Sequence, residues 1–235
     1  MSPDVKEPAK KEKTAKERSR KYHKSTFDKI DDEKRARILD AALAEFSSRG
    51  FNAANINTIA KNAGISIGSM YTYFHSKEDL FLTVLDSGYA VIEESLRQID
   101  LMNGSIFDKL EQILCYVQKY SRQYSLLNQA YLEATTQGIA HLSKKLSLKM
   151  ETVSSQYYKA VLRAAQAEGV VDPAIDVEVA SFCLDNIILL LQFSYSAEYY
   201  RERMKIFAGE HSPEQDERMG REIMYLLKKA LSPPA

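Results

Sequence analysis

The stretch from Asn55 to Leu80, NINTIAKNAGISIGSMYTYFHSKEDL, sets the tightest limit on what this chain can fold into. It reads as two short helices and the start of a third. Asn55 can cap the first, because its side-chain oxygen accepts a bond from an otherwise unpaired N–H of the opening turn. Ile56, Ile59, Ala60 and Ala63 then recur at helical spacing. Gly64 stops that helix, since glycine takes the left-handed exit without a Cβ penalty. Ile65 plugs the turn, and Ser66 caps a second helix from Ile67 to Phe74. Only three residues part the two helices, which suits a helix-turn-helix. Ser76 caps the third, with Lys77 in its first turn.

The second of these helices has two faces. Met70, Tyr71 and Phe74 are placed to pack inward, and Ile67, Gly68, Ser69, Thr72 and Tyr73 to look outward. Gly68 is a poor helix former, costing about 1 kcal/mol against Ala. Its missing side chain lets the helix approach another surface closely. Two helical turns span roughly 12 Å, about the width of the DNA major groove.

These residues resemble the TetR (tetracycline-repressor-type) family of bacterial DNA-binding regulators. The resemblance is carried by Thr58-Ile59-Ala60, Gly64-Ile65-Ser66, Gly68, Tyr71, Phe74 and Ser76-Lys77-Glu78-Asp79-Leu80, within a motif running roughly from Ile38 to Leu85. It implies a homodimer that pairs through its last two long helices and binds double-stranded DNA at a pseudo-palindromic operator. It also implies a small-molecule effector, held inside the second domain, whose binding changes the separation of the two DNA-reading heads and releases the operator. Gly64 to Gly68 also fits G-x-S-x-G, but a hydrolase nucleophile elbow needs a strand before the Ser, and the stretch before Gly64 is helical.

Contacts to phosphate position a protein on DNA, whereas contacts to base edges specify sequence. Tyr73, His75 and Lys77 are assigned to phosphate, with Asn55 and Thr58 beside them. Ile67, Gly68, Ser69 and Thr72 face base edges, and Asn57 can reach a base through its amide. Ser66 caps the reading helix, and Tyr71 divides between core and DNA backbone. Many family members carry a polar or basic residue where Ile67 stands, and an Ile can read only a thymine methyl or shape.

The 235 residues are 45% apolar with few Gly and Pro, and long periodic stretches dominate, so the expected class is all-α with about nine helices. Absence of an 18-residue apolar run or a signal-like N-terminus argues for a cytoplasmic protein, neither membrane-spanning nor secreted. Cys115 and Cys183 lie in apolar helical patterns and read as buried, reduced thiols; a redox pair is the alternative. Charge is balanced overall, yet residues 1–24 carry nine Lys or Arg against four acids. Such a tail suits phosphate contact or a solvated leader. The expected organisation is a disordered basic tail (1–30), a DNA-binding head (31–85) and an effector-binding and dimerisation domain (86–235).

Along the chain, a helix from about 32 to 49 ends at Gly50, and the motif helices follow. A helix from 76 to about 101 links head to second domain. Further helices are expected near 105–124, 126–137, 141–168, 176–207 and 212–231, the last with Pro213 in its first turn. From Val177 to Phe193 the chain is apolar nearly all round, so that helix must be buried on every side. A four-helix dimer interface built with the last helix meets this demand, with Leu184, Ile188, Leu191, Ile223 and Leu227 as its residues. Candidate effector-site residues are Tyr116, Tyr120, Tyr131, Tyr157, Phe182 and Asn186. No Arg or Lys falls between Lys109 and Lys119, which favours an apolar or aromatic ligand over a polyanion. No zinc spacing, Walker A, H-E-x-x-H or dinucleotide fingerprint occurs, so no catalytic residue, metal or cofactor is expected. A DNA-binding regulator with no effector is the alternative to a ligand-released repressor.

Overall fold

The computed structural model describes residues 21–100, 104–136 and 140–234. Among them are ten α-helices, two 3-10 turns and no strand. In order the helices are α1 (Asp32–Ala53), α2 (Ile56–Asn62), α3 (Ile67–Tyr73), α4 (Lys77–Asp100), α5 (Ile106–Gln123), α6 (Ser125–Thr136), α7 (Ala140–Ala167), α8 (Val177–Ser196), α9 (Glu198–Ala208) and α10 (Asp216–Leu231).

The first three helices and the start of α4 form the head. Asp31 caps α1 by accepting a bond from the Lys34 N–H at 2.7 Å. Gly50 interrupts α1 where its sequence position implies: its backbone is non-helical (φ 70°, ψ 165°), and one short turn to Ala53 follows the kink. Gly64 takes the expected left-handed exit (φ 69°) between α2 and α3. Ile38, Phe46, Ile59, Leu80, Phe81 and Leu85 are fully buried around this framework. The Phe81 ring centroid lies 4.8 Å from that of Phe46 and 5.1 Å from that of Phe51.

Residues 21–30 belong to the head and not to a disordered leader; the rest of the expected tail, residues 1–20, lies outside the described residues. Phe27 is 1% exposed, within a 3-10 turn. Its ring stands 4.8 Å from Phe74 and 5.8 Å from Tyr73. Leaving such a ring in water would forgo about 1.5–3 kcal/mol of burial.

The head core continues onto α6, whose Ala130 and Ala134 are completely buried against it. Two α6 side chains end on head glycines. A Cβ at Gly88 of α4 would lie 2.0 Å from Leu127 Cδ2, and one at Gly50 would lie 3.0 Å from Glu133 Oε2. A second core joins α5, α7, α8 and α10 through Leu110, Leu114, Leu162, Leu184, Leu191 and Leu227. Arg122 ties α5 to α10: its guanidinium donates to both Asp216 oxygens at 2.8 and 2.6 Å and covers the Tyr195 ring.

The single helix expected over 176–207 is two helices. Ala197 is extended (φ −126°, ψ 135°) and separates α8 from α9. The break is held by side chains from elsewhere: Gln129 donates to the Ser196 carbonyl at 2.7 Å, and Arg201 reaches the Tyr195 carbonyl. No Gly or Pro marks it, so the apolar periodicity runs straight through. Pro213 opens a 3-10 turn, Ser212–Glu214, ahead of the last helix rather than that helix itself.

Candidate functional site

Two sites stand out, an outward helix face and an interior cavity. The face belongs to α3. The Ser66 hydroxyl accepts the Ser69 N–H at 3.0 Å and caps the helix. Asn55 caps α2 in the same way, accepting the Asn57 N–H at 2.8 Å. Asn55, Asn57, Ser66, Ile67, Gly68, Tyr71, Thr72 and His75 are exposed, and Thr58 and Ser69 are half-buried. A Cβ at Gly68 would meet only Ser66 Oγ, at 3.8 Å. Internal packing therefore gives no reason for a glycine there. The Thr72 hydroxyl donates back to the Gly68 carbonyl at 3.0 Å.

Three expectations for this face need correction. Tyr73 is 7% exposed and packs on Phe27, whereas Tyr71 is 51% exposed. The inward face is Met70-Tyr73-Phe74, at the three- and four-residue steps of one helix side, so the two tyrosines exchange roles. Lys77 turns inward too. Its ammonium donates to the carbonyls of Asn52 (3.0 Å) and Ala54 (3.1 Å) and lies 4.9 Å from the Phe51 ring centroid. It closes the end of α1 and is committed to the head rather than to a phosphate.

A feature missed in the sequence is the strap across the end of α3. The last carbonyls of a helix lack partners within it. Here Lys24 Nζ donates to the Tyr71 carbonyl (2.6 Å), Thr26 Oγ1 to that of Thr72 (2.5 Å), and the Lys24 N–H to that of Tyr73 (2.8 Å). The apolar residues Tyr22, Phe27 and Ile30 were the available signal that this segment packs on the head.

The cavity, of about 320 Å³, lies where head and second domain meet. The head supplies Leu39 and Asp40 from α1 and Leu85 and Gly88 from α4; the other walls come from α5 to α8. Of the candidate effector-site residues, Tyr116, Tyr120 and Tyr131 line it. Tyr157, Phe182 and Asn186 do not, and Tyr158 and Asp185 are there in their place. The register is off by one residue on α7 and on α8. Phe182 faces away and is 68% exposed. The Tyr116 and Tyr120 rings lie tilted against each other with centroids 4.2 Å apart. The Tyr131 hydroxyl donates to the Glu151 carboxylate. Gln192 donates to Asn128 Oδ1 at 2.6 Å, which satisfies a polar corner. Loss of water, with the Glu151 charge adding to it, pushes the Asp185 carboxyl up to about 6. Burial pushes the Tyr131 and Tyr158 phenols up as well, so both stay protonated.

The expected interface residues also need correction. Leu184, Leu191 and Leu227 are buried in this chain's own core, Ile223 packs against it, and Ile188 lines the cavity. Another row is exposed: Val179, Phe182, Cys183 and Leu190 on α8, beside Tyr225 and Leu226 on α10. Both cysteines are exposed within this chain, not buried. By length and composition α8 is also apolar enough to cross a membrane, although polar residues interrupt its apolar run. Its Asp185 and Gln192 face the cavity and its Glu178 pairs with Arg163. No group of three or more metal-binding side chains occurs among the described residues.

Residues 38–84 match the family model described as bacterial regulatory proteins, tetR family. An uncharacterised HTH-type transcriptional regulator of Bacillus subtilis, YdgC, is 28% identical over 164 residues, which is 69% of this chain and 81% of that protein. The HTH-type transcriptional repressor KstR of Mycolicibacterium smegmatis is 29% identical over 102 residues, 43% of this chain and 50% of KstR. The fold is similar to that of the Bacillus subtilis regulator FadR, solved in complex with stearoyl-CoA. The TM-score is 0.68 at 17% identity, over 83% of this chain and 98% of FadR.

Proposed function

Because this chain belongs to the TetR family of transcriptional regulators, we propose that it is a cytoplasmic, homodimeric repressor released from a pseudo-palindromic operator by a small molecule. One observation carries the reading: the cavity has walls from both the head and the second domain. A ligand there touches α1 and α4 directly. It therefore favours one position of the reading helix over another through its differential contacts, as population shift requires.

In this reading α3 enters the major groove. Ile67, Gly68, Ser69 and Thr72, with Asn57 from α2, meet base edges. His75, Asn55, Thr58 and Tyr71 meet the DNA backbone. Lys24 keeps further donors on its ammonium for a phosphate while holding the Tyr71 carbonyl. Two subunits pair through the exposed row of α8 and α10. Covering Phe182, Leu190 and Leu226 in a partner answers the demand of so apolar a helix for burial on every side. No cationic side chain occurs among the described residues lining the cavity, which disfavours a polyphosphate such as the coenzyme A of the FadR complex.

Footprinting on the DNA upstream of the protein's own coding region tests this. The wild type should protect two symmetric half-sites about one helical turn, or a multiple of it, apart, and a metabolite extract should erase the protection. Phe182→Arg should abolish both half-sites while leaving a folded monomer by light scattering and circular dichroism. Protection that no extract alters would leave a regulator acting by occupancy alone. A Phe182→Arg protein that still scatters as a dimer would remove this interface.

A further inference from the structure

The cavity's chemistry narrows the ligand class further, on the premise that this cavity is the effector site. Its walls combine a ladder of tyrosines with carboxylates and, among the described residues, no Lys, Arg or His. Glu151 comes from α7 and Asp185 from α8. Asp40, on the head, sits at the exposed edge. The Tyr131 hydroxyl fixes the Glu151 carboxylate from one side. Asp185 makes no hydrogen bond or ion pair to any described residue. Carboxylates that lose water without gaining a counter-charge are costly, and the cost falls most when a cation takes the place of the lost water. The aromatic walls have the matching property: the negative face of a tyrosine ring attracts a cation. Tyr120 already attracts a cation in this way: the exposed Lys119 ammonium lies 5.1 Å from its ring centroid.

We propose that the effector is a hydrophobic monocation, a single protonated or quaternary nitrogen on an apolar or aromatic body, whose positive end lies between Asp185 and Glu151 and whose body lies along Tyr116 and Tyr120. The ligand would balance the like charges of Asp185 and Glu151, which line the same cavity. Fatty acids and acyl phosphates, whose charged ends are anionic, are excluded by the same carboxylates.

Three probes of one chain length isolate the charge: decyltrimethylammonium, decanol and decanoate, each below its aggregation limit. Binding to the full-length dimer is read from tyrosine fluorescence and calorimetry, and operator release from a mobility shift. The cation should bind at least tenfold more tightly than the alcohol, and decanoate more weakly than either. Asp185→Asn should remove about tenfold of the cation's affinity and leave that of the alcohol within twofold. Glu151→Gln, whose amide oxygen still accepts the Tyr131 hydroxyl, should act in the same direction and serves if the Asp185 variant folds poorly. Equal or tighter binding of decanol or decanoate, or a cation affinity unmoved by both variants, overturns the cationic class and leaves the effector cavity standing. Failure of all three probes to bind overturns the cavity as the effector site, and the cationic class with it.

Discussion

The head and the second domain are built from the same helices and bury the same kinds of side chain, yet they treat volume in opposite ways. In the head, Phe46, Phe74 and Phe81 close on Ile38, Ile59 and Leu85 with almost no exposure. Where the second domain meets the head, space for a ligand remains open, rimmed by half-buried tyrosines and by Asp185, a carboxyl in a poor environment for charge. A reading device must keep its shape to keep its specificity. A sensing device must hold something back that a ligand can supply. Stability is accordingly concentrated in the head and withheld at the cavity.

The largest test of that contrast is Phe81→Ala. Removing a fully buried ring should cost about 3–5 kcal/mol, because the tight head collapses poorly around the gap. Urea unfolding should show the loss, with operator binding falling alongside. A cost under about 1 kcal/mol would mean that the head is as loosely filled as the cavity wall.

Asp185→Asn probes the withheld stability from the other side. The Asp185 carboxyl holds its proton more tightly in the folded chain than in the unfolded one, up to about 6 against the ordinary 3.8. Ionisation therefore costs stability as pH rises from about 4 through 6, and the full cost is present above that window. The Asn variant should be more stable at pH 7.5 by on the order of 1 kcal/mol, after allowing for the water that still reaches the carboxyl. The gain should vanish below about pH 4. Melting curves at pH 7.5 and 3.5 compare the two, and an equal stability at both would place the carboxyl in water.

Gly68→Ala is the smallest effect and the finest comparison, because it sets stability against function within the head. A Cβ there meets only Ser66 Oγ, so the helix should gain about 0.5–1 kcal/mol. The same methyl stands where DNA must come close, so operator affinity should fall. A variant that melts higher and binds unchanged would leave the glycine without the purpose assigned to it.

The head was legible because its signals are local. Asn55, Gly64 and Ser66 act on their own backbone neighbours, and each does in the structure what its position implies. Tyr71 and Tyr73 were exchanged because α3 is only two turns long, and a tyrosine tolerates either face of it. Lys77 was misread because its partners, the carbonyls of Asn52 and Ala54, belong to a helix end more than twenty residues earlier. In α8 the difficulty was of another kind. A helix apolar on all sides has no moment from which to read a direction. Nothing local puts Leu184 and Leu191 in the chain's own core and leaves Phe182 and Leu190 outside. The same ambiguity produced the one-residue error that hid Asp185, the residue on which the ligand class now turns.

The two glycines beneath α6, Gly50 and Gly88, give that helix the properties of a joint with little play. A side chain pushed by a neighbour normally gives way by changing rotamer, and the backbone beneath it stays still. At Gly88 and Gly50 the head offers no side chain to absorb a push from Leu127 or Glu133. A shift of α6 that the rotamers of Leu127 and Glu133 do not absorb passes straight to the main chain of α4 and α1, like gear teeth meshed to the root. Leu127 also forms part of the cavity wall, so the ligand and the joint share a tooth.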